Sequence, residues 1–374
     1  MIICTSICAN YLPKAMTLAA SVKKYIPDAF FVLCLLEKEY PEKLETFPHF
    51  DAIVLAKDLG WENFEPFIFR HTIVEAATAV KGQLLLHLFE KYQSENKLVY
   101  LDPDVRVYAD FTELRELLDE HSLILAPHLL RPGNIDMEIS SLAHGCYNLG
   151  FIALQRSNNA QAFMQWWAAR LFSYCYDDKA RGLFTDQRWV DLAPCFFDVF
   201  VLKHHGYDFA TWSLLNCQLE EVDGNILVNG DSLRFIHFSG LDGGTIDWAM
   251  EQWLQDPVGK DIFARLYKEY QAEHKENDTL GFSKILWSYA SYNDGATISK
   301  KARYIFREEE ESAQTMDPFE TGETAILSLK KGALKRKVLE LAKKVPAHLQ
   351  RHGIAATLGK ILKKAKLGLG NFHH

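Results

Sequence analysis

Short apolar runs alternate with segments of helical periodicity through residues 1–240. Runs such as IICTSI, FFVLCLL and KLVYL are typical of strands that are buried on both faces of a parallel sheet. The repeated strand–helix–strand order predicts an α/β fold with a mostly parallel sheet. In such folds ligands bind beyond the carboxyl ends of the strands, so the residues that follow these runs are the first candidates for a functional site.

The chain is predicted to contain four segments. Residues 1–245 form the α/β body, and residues 246–312 have helical patterns that predict an extension packed on it. A linker is placed at 313–327, and the segment 328–374 is a basic, amphipathic helical tail. Helices are predicted at Pro13–Tyr25, at Glu65–Tyr92 (which Gly82 could interrupt), at Ala160–Tyr174, over DQRWVDL and over FSKILWSYA.

Charge is distributed unevenly along the chain. The segment 328–366 carries 12 Lys or Arg and one acidic residue, so with a net charge of −8 the remainder of the chain, residues 1–327, sums to −19. An acidic body argues against a nucleic-acid partner, because that affinity depends on neutralising phosphates. It also means that a phosphorylated ligand bound by the body needs a cation.

Several protein classes are excluded by features that the sequence lacks. There is no run of about 18 apolar residues to cross a membrane, and the start, MIICTSICANYL, is expected to form a first strand rather than a secretion signal. The seven cysteines form no C-x-x-C pair, which favours a reducing cytoplasm over disulfides or a cysteine zinc site. No Walker, G-x-G-x-x-G, H-E-x-x-H or G-x-S-x-G motif occurs.

The strongest local signal is Asp102-Pro103-Asp104, directly after the apolar run KLVYL. Two carboxylates separated by one residue can converge on one hard cation, and without a cation their repulsion is unfavourable in a partly buried site. The alternative is a plain turn whose aspartates cap a following helix.

His237, in RFIHFSG, ends another apolar run. A lone histidine is more often a structural residue than a ligand. Together with the two aspartates, however, a neutral imidazole could complete an octahedral Mn²⁺ site.

Asp186 and Gln187 open a helical stretch in FTDQRWVDL. Either Thr185 or Asp186 caps this helix, or the carboxylate and the amide point into a pocket at a positively charged transition state, and both can hold together. Lys81, in TAVKGQLLL, is either a solvent-facing helix residue or a cation directed at a diphosphate.

Six segments, TSICANYLP, EAATAVK, YLDPDV, YNLGFIAL, TDQRW and FIHFSG, stand in this order over residues 1–245. Together they resemble glycosyltransferases of the GT-A fold, and are similar to the family 8 retaining enzymes and a bacterial branch near them. The resemblance extends more weakly to about residue 310. It implies a GT-A, Rossmann-like fold for the body.

The resemblance also implies roles for individual residues. The loop after the first strand would hold the nucleotide base, the D-x-D element and the histidine would bind Mn²⁺ (or Mg²⁺) with the donor diphosphate, and the Asp-Gln pair would lie beside the anomeric carbon. The residues so implied are Thr5, Ser6, Asn10, Tyr11, Lys81, Asp102, Asn148, Gly150 and Gly240 for the donor, Asp102, Asp104 and His237 for the metal, and Asp186 and Gln187 for catalysis.

Two positions depart from the family pattern. Cys8 stands where family 8 often has an aspartate that contacts uracil, and Leu241-Asp242-Gly243 replaces the Lys-Pro-Trp that follows the histidine and glycine in many members. The first concerns the specificity for uridine, and the second concerns a contact with the diphosphate.

These observations predict a metal-dependent hexosyltransferase that uses a nucleotide-diphosphate sugar, a UDP-sugar by preference, and a glycan, lipid-linked or protein acceptor, with retention of configuration. A catalytically silent sugar-nucleotide or glycan-binding protein of the same fold is the alternative. The tail 328–366 either packs on the acidic body or another copy, or binds an anionic membrane surface. We expect a cytoplasmic protein, peripheral on the inner face of the membrane.

Overall fold

The computed structural model of the chain describes residues 1–215, 217–308 and 316–329. It divides into two compact units, Met1–Ala290 and Ser291–His374. The segment boundaries predicted at residues 245, 312 and 327 stay predictions. The basic tail lies outside the described residues from residue 330 onward.

The described strands all lie in the first unit. They are β1 (Ile2–Ile7), β2 (Phe30–Leu35), β3 (Ala52–Leu55), β4 (Lys97–Leu101), β5 (Val105–Val107), β6 (Leu123–Pro127), β7 (Tyr147–Gln155), β8 (Asp177–Asp178), β9 (Leu183–Phe184), β10 (Phe200–Val201), β11 (Leu219–Val222), β12 (Asn225–Val228), β13 (Asp231–Ser232) and β14 (Phe235–His237).

A seven-stranded sheet in the order β10-β6-β7-β4-β1-β2-β3 forms the centre of this unit. The pairs β1–β2, β1–β4, β2–β3 and β10–β6 are parallel, whereas β7 is antiparallel to both β4 and β6. β1 is buried along its whole length, as its apolar sequence requires. The predicted α/β fold with a mostly parallel sheet is therefore confirmed.

Helices connect the strands. Those of the first unit are α1 (Leu12–Tyr25), α2 (Phe64–Phe69), α3 (Ile73–Ala79), α4 (Lys81–Lys91), α5 (Thr112–Glu120), α6 (Ile135–His144), α7 (Asn158–Tyr174), α8 (Gln187–Val190), α9 (Ala193–Phe196), α10 (Thr245–Trp253) and α11 (Pro257–Asn277). α1 starts with Pro13 in its first turn, where a missing amide N–H is tolerated. Its Leu18 and Val22 join a core with Phe31 and Val99 of the sheet.

A second, two-stranded sheet positions the candidate site. β14 pairs antiparallel with β5, and its last residue, His237, lies opposite Val105. Because Val105 follows Asp104 directly, this register brings the end of β14 to the turn after β4. The amide of Asp102 in that turn donates to the carbonyl of Gly150 on β7 at 2.8 Å.

The second unit contains α12 (Lys300–Arg307) and α13 (Pro318–Thr321) among its described residues. Ser299 caps α12 by accepting from the amide of Ala302, and the Glu323 carboxylate accepts from Tyr292 and from Ser299. Across the described part of the chain, no helix has the length and the apolar character that a membrane crossing requires.

Two helix predictions were wrong in detail. The stretch Glu65–Tyr92 is divided into three helices, and the second begins at a capping box formed by Thr72 and Glu75. The predicted helix over FSKILWSYA is reduced to a 3-10 turn, Phe282–Lys284. The residues after this turn bond instead to the chain beyond β2: the Trp287 indole donates to the Leu36 carbonyl, and the Ser288 amide donates to Glu37.

Gly82 lies inside α4 and does not interrupt it. A Cβ at this position would lie 2.7 Å from Cα and 2.8 Å from N of Ala168 on α7. Both are backbone atoms, which cannot move without displacing the helix. Gly82 is therefore required by the close approach of α4 and α7.

We expect Gly82→Ala to lower the free energy of unfolding by about 1–3 kcal/mol through overpacking, measured by denaturant unfolding. Gly243→Ala is the matched control, because a Cβ at Gly243 would come no nearer to a neighbour than 3.7 Å. Equal stability of the two variants would contradict the close helix contact.

Candidate active site

Asp102, Asp104 and His237 converge where β4, β5 and β14 meet. Asp104 Oδ1 lies 3.1 Å from His237 Nε2, and Asp102 Oδ2 lies 3.9 Å from the same nitrogen. One potential ligand atom from each residue lies within 4.8 Å of the others. Carboxylate oxygens with an imidazole nitrogen suit a divalent ion such as Mn²⁺, so this cluster could hold a metal ion.

Asp102-Pro103-Asp104 also forms a turn, in which the amide of Val105 donates to the carbonyl of Asp102 at 3.1 Å. The element after the turn is the strand β5, so the aspartates do not cap a helix there. The turn thus directs both carboxylates towards His237. Burial alone would raise the pKa of Asp104, but the imidazole of His237, together with Lys14 and a backbone hydrogen bond, lowers that pKa.

Lys81 is a buried cation between two carboxylates. Its Nζ lies 3.0 Å from Asp102 Oδ1 and 2.9 Å from Asp186 Oδ2, and donates to the carbonyl of Leu149 at 2.8 Å. Its side chain is 2% exposed, so the alternative of a solvent-facing lysine is wrong. Burial alone would lower the pKa of Lys81, but Asp102 and Asp186 outweigh burial and hold it well above its ordinary value.

The two oxygens of Asp102 have separate environments. Oδ1 is contacted by Lys81 and accepts from the Tyr100 hydroxyl at 3.1 Å. The Tyr100 hydroxyl in turn lies 2.9 Å from Ser6 Oγ, which donates to the carbonyl of Ala77. Oδ2 is the oxygen nearer His237. The carboxylate is therefore held with one oxygen directed at His237.

Asp186 and Gln187 stand at the start of α8, and the Asp186 side chain makes no capping bond there. Instead Asp186 accepts from the Thr185 hydroxyl at 3.0 Å, and Thr185 itself has a φ of 43°. Burial is the main cause that raises the pKa of Asp186. Gln187 Nε2 donates to the carbonyl of His144 at 2.9 Å, which fixes the orientation of the amide.

Asn148 and Gly150 lie on β7 beneath His237. Asn148 Oδ1 accepts from the amide of Gly150 at 2.8 Å, and its Nδ2 lies 3.1 Å from His128 Nε2. A Cβ at Gly150 would lie 2.4 Å from His237 Cε1 and 2.6 Å from Asn148 Oδ1. Glycine is needed here because the imidazole packs directly on the strand.

These groups share a cleft with a volume of about 860 Å³. Part of its wall comes from α6 and from Trp248 of α10, and Trp248 is 53% exposed. The predicted site residues that line the cleft are Lys81, Asp102, Asp104, Asn148, Gly150, Asp186, Gln187 and His237.

The residues predicted for the nucleotide base do not line this cleft. Thr5 and Ser6 are buried within β1, whereas Asn10 and Tyr11 are half-buried in the turn after it. Gly240 lies outside the lining too, at the start of a 3-10 turn, with a φ of 86°.

Residues 282–288 lie beside the loop that follows β1. Glu37, which is 4% exposed, accepts from the amide of Ala9 at 2.9 Å and from the amide of Ser288 at 2.7 Å. Phe282 packs in one apolar cluster with Ile7 and Leu35. The carboxyl ends of β1 and β2 are thus covered by the chain itself, and the cleft lies towards β4 and β7.

Asp208 was not predicted from the sequence. It is 3% exposed, has a φ of 51°, and places Oδ1 3.4 Å from His237 Nδ1. Its pKa is raised to about 6, mainly by burial. The segment HHGYDFA carries no motif, and backbone pairing, including that of Phe209 with Ile236, brings Asp208 to the histidine.

A bacterial protein is distantly similar to this chain. No protein-family model matches the chain. The uncharacterized protein YfnD of Bacillus subtilis (strain 168) is 25% identical over 247 residues, which cover 63% of this chain and 76% of that protein.

Solved structures similar to this chain include glycosyltransferases. The galactosyltransferase LgtC, in complex with donor and acceptor sugar analogs, has 15% identity and a TM-score of 0.41, with 70% of this chain and 100% of that chain covered. GlyE of Streptococcus pneumoniae TIGR4 has 14% identity and a TM-score of 0.43, covering 76% and 65%. Mouse xyloside xylosyltransferase 1 has 11% identity and a TM-score of 0.39, covering 64% and 97%. Because these sequence identities and TM-scores are low, the function of this chain has to be inferred from its own cleft.

We expect Lys81→Met to lower the free energy of unfolding by about 3–5 kcal/mol, because two carboxylates lose their buried cation. Lys91→Met, an exposed lysine at the end of the same helix, is the control and should change stability by less than about 0.5 kcal/mol. Denaturant unfolding of both variants measures this. A Lys81→Met protein as stable as the control would show that the carboxylates do not depend on Lys81.

Proposed function

We propose that this chain is a metal-dependent glycosyltransferase of the GT-A fold, similar to the family 8 retaining enzymes and their bacterial branch. It would transfer a hexose from a nucleotide-diphosphate sugar to a glycan, lipid-linked or protein acceptor with retention of configuration. The observation that carries the proposal is that Asp102, Asp104 and His237 meet beside the Lys81–Asp186 ion pair in one open cleft.

Asp102, Asp104 and His237 would hold Mn²⁺, or Mg²⁺ as the alternative. When bound, such an ion supplies the Lewis acid and the positive charge that neutralise a departing nucleoside diphosphate. Such a positive charge suits this chain, because residues 1–327 carry a formal net charge of −19 that would repel the donor. Lys81 is already engaged by two carboxylates, and its proposed role is to hold them in place beside the donor.

The donor is proposed to be a UDP-sugar whose nucleoside lies towards the loop after β1, at Thr5, Ser6, Asn10 and Tyr11. Asn10 supports this placement, because its Oδ1 is buried and has no hydrogen-bond partner within the described residues. Asn148, Gly150 and Gly240 are proposed as further donor contacts on the side of His237.

Asp186 and Gln187 are proposed as the catalytic pair. The Asp186 carboxylate is fixed by Lys81 and Thr185, and the Gln187 amide is fixed by the carbonyl of His144. Groups that are oriented in advance stabilise a positively charged, oxocarbenium-like centre without reorganising during the reaction. The two side chains would do so at the anomeric carbon.

The acceptor is proposed to enter between α6 and α10, where apolar and hydroxyl side chains such as Met137, Ser140 and Trp248 line the cleft. Contact of the basic segment 328–366 with an anionic membrane, and a cytoplasmic location on its inner face, stay part of the proposal.

The first test is the release of nucleoside diphosphate from UDP-, GDP-, TDP- and CDP-sugars with Mn²⁺ and with EDTA. We expect metal-dependent release from one donor and its loss in Asp104→Ala, because one of the proposed metal ligands is removed. Full, metal-independent release by Asp104→Ala would contradict the proposal. Metal-dependent binding of nucleotide without turnover, across donors and acceptors, would support the silent binding protein instead.

A second test separates catalysis from binding. We expect Asp186→Asn to lower kcat by about 10²–10³-fold, the usual effect of removing one preorganised electrostatic group, with Mn²⁺ affinity nearly unchanged. Asp198→Asn, an exposed carboxylate, should keep the wild-type rate. A parallel loss of Mn²⁺ affinity in Asp186→Asn would assign this residue to the metal site rather than to catalysis.

A further inference from the structure

The imidazole of His237 is enclosed by the described residues around it. Its Nε2 faces Asp104 and Asp102, and its Cε1 packs on Gly150. The Trp212 ring system contacts it in a T-shaped arrangement, with the centroids 5.6 Å apart and an angle of 88° between the ring planes. The remaining nitrogen, Nδ1, faces Asp208.

Asp208 reaches this position through the backbone. The amide of His237 donates to the carbonyl of Phe209 at 2.8 Å, and Phe209 forms a bridge with Ile236. This pairing places Asp208 beside the ring in a left-handed conformation, with a φ of 51°. Glycine adopts such a conformation most readily, so an aspartate here is held by its surroundings.

Among the described residues, Asp208 has no other strong partner. Neither of its oxygens meets the geometry of a hydrogen bond within the described residues, and its ion pair there joins Oδ1 to His237 Nδ1 at 3.4 Å. A buried carboxylate requires a compensating partner, and the ring N–H of His237 is the donor that the fold offers.

We propose that Asp208 is a positioning residue that holds the Nδ1 proton of His237 and so leaves Nε2 as the nitrogen that would bind a metal ion together with Asp102 and Asp104. A histidine that binds a metal through one nitrogen usually donates its other ring N–H to a carboxylate or carbonyl, which sets the tautomer and the ring orientation. This inference rests on the metal site of the proposed function.

The test is titration of the metal-free full chain with MnCl₂, followed by calorimetry. Asp208→Gly suits the backbone conformation and removes the carboxylate, and we expect it to weaken Mn²⁺ binding about 10–100-fold. Asp208→Asn keeps an oxygen that accepts from Nδ1–H, and we expect a smaller loss. Asp231→Asn, at another carboxylate–histidine pair (Asp231 and His205, 2.8 Å apart), is the matched control and should bind Mn²⁺ as the wild type does.

A double-mutant cycle decides whether Asp208 acts through His237. In a His237→Ala background we expect Asp208→Gly to have no further effect. An undiminished loss in that background, or equal losses in Asp208→Asn and Asp208→Gly, would assign Asp208 a direct or purely electrostatic effect and overturn the inference. Wild-type Mn²⁺ affinity in Asp208→Gly would also overturn the inference, provided that the thermal unfolding of this variant is normal.

The same titration separates this inference from the proposed function. If the wild-type chain releases nucleoside diphosphate but binds no Mn²⁺, this result would contradict the metal site and the role of Asp208. It would not contradict glycosyl transfer. A chain that binds Mn²⁺ with the expected dependence on Asp208, but releases no nucleotide from any donor, would count against the transferase alone.

Discussion

The rest of the cleft depends on the ion pairs that the buried ammonium group of Lys81 forms with two carboxylates. Its Nζ contacts Asp102 and Asp186, which come from distant segments of the sequence, and it donates to a carbonyl of β7. A buried ammonium group is stable only when its charge is compensated, and the two carboxylates likewise need it. Because α4 packs on α7 through Gly82, the next residue in the chain, the position of Lys81 is also fixed by helix packing.

The cluster of Asp102, Asp104 and His237 depends on strand register rather than on one strong contact. Asp102 and Asp104 stand on one turn, but His237 comes from a strand much later in the chain, and its pairing opposite Val105 sets the distance of its ring from the turn. A shift of β14 by one residue would turn the imidazole to the opposite face of the strand. Gly150 contributes by leaving room for the ring on β7.

Much of the fold and of the candidate site could be predicted from the sequence, because the residues that indicated the site follow buried strands. The apolar runs predicted the parallel sheet, and the ends of those runs indicated Asp102, Asp104 and His237. Asp208 could not be found in this way, since it lies in an irregular segment that is brought to His237 only by backbone pairing. The helix over FSKILWSYA was predicted from local pattern alone, whereas bonds of Trp287 and Ser288 to the chain just beyond β2 determine that segment.

Those bonds also bear on how a nucleotide could be recognised. Ligands of parallel sheets bind beyond the carboxyl ends of the strands, yet here the ends of β1 and β2 are joined to residues 282–288 by the Glu37 carboxylate. The loop after β1 therefore has fewer free backbone groups to offer a base, since the amide of Ala9 is already bound. Cys8 also stands where the family that the sequence resembles often has an aspartate. Under the proposed function, base recognition would therefore rest on Asn10 and Tyr11, which lie half-buried beside these strand ends.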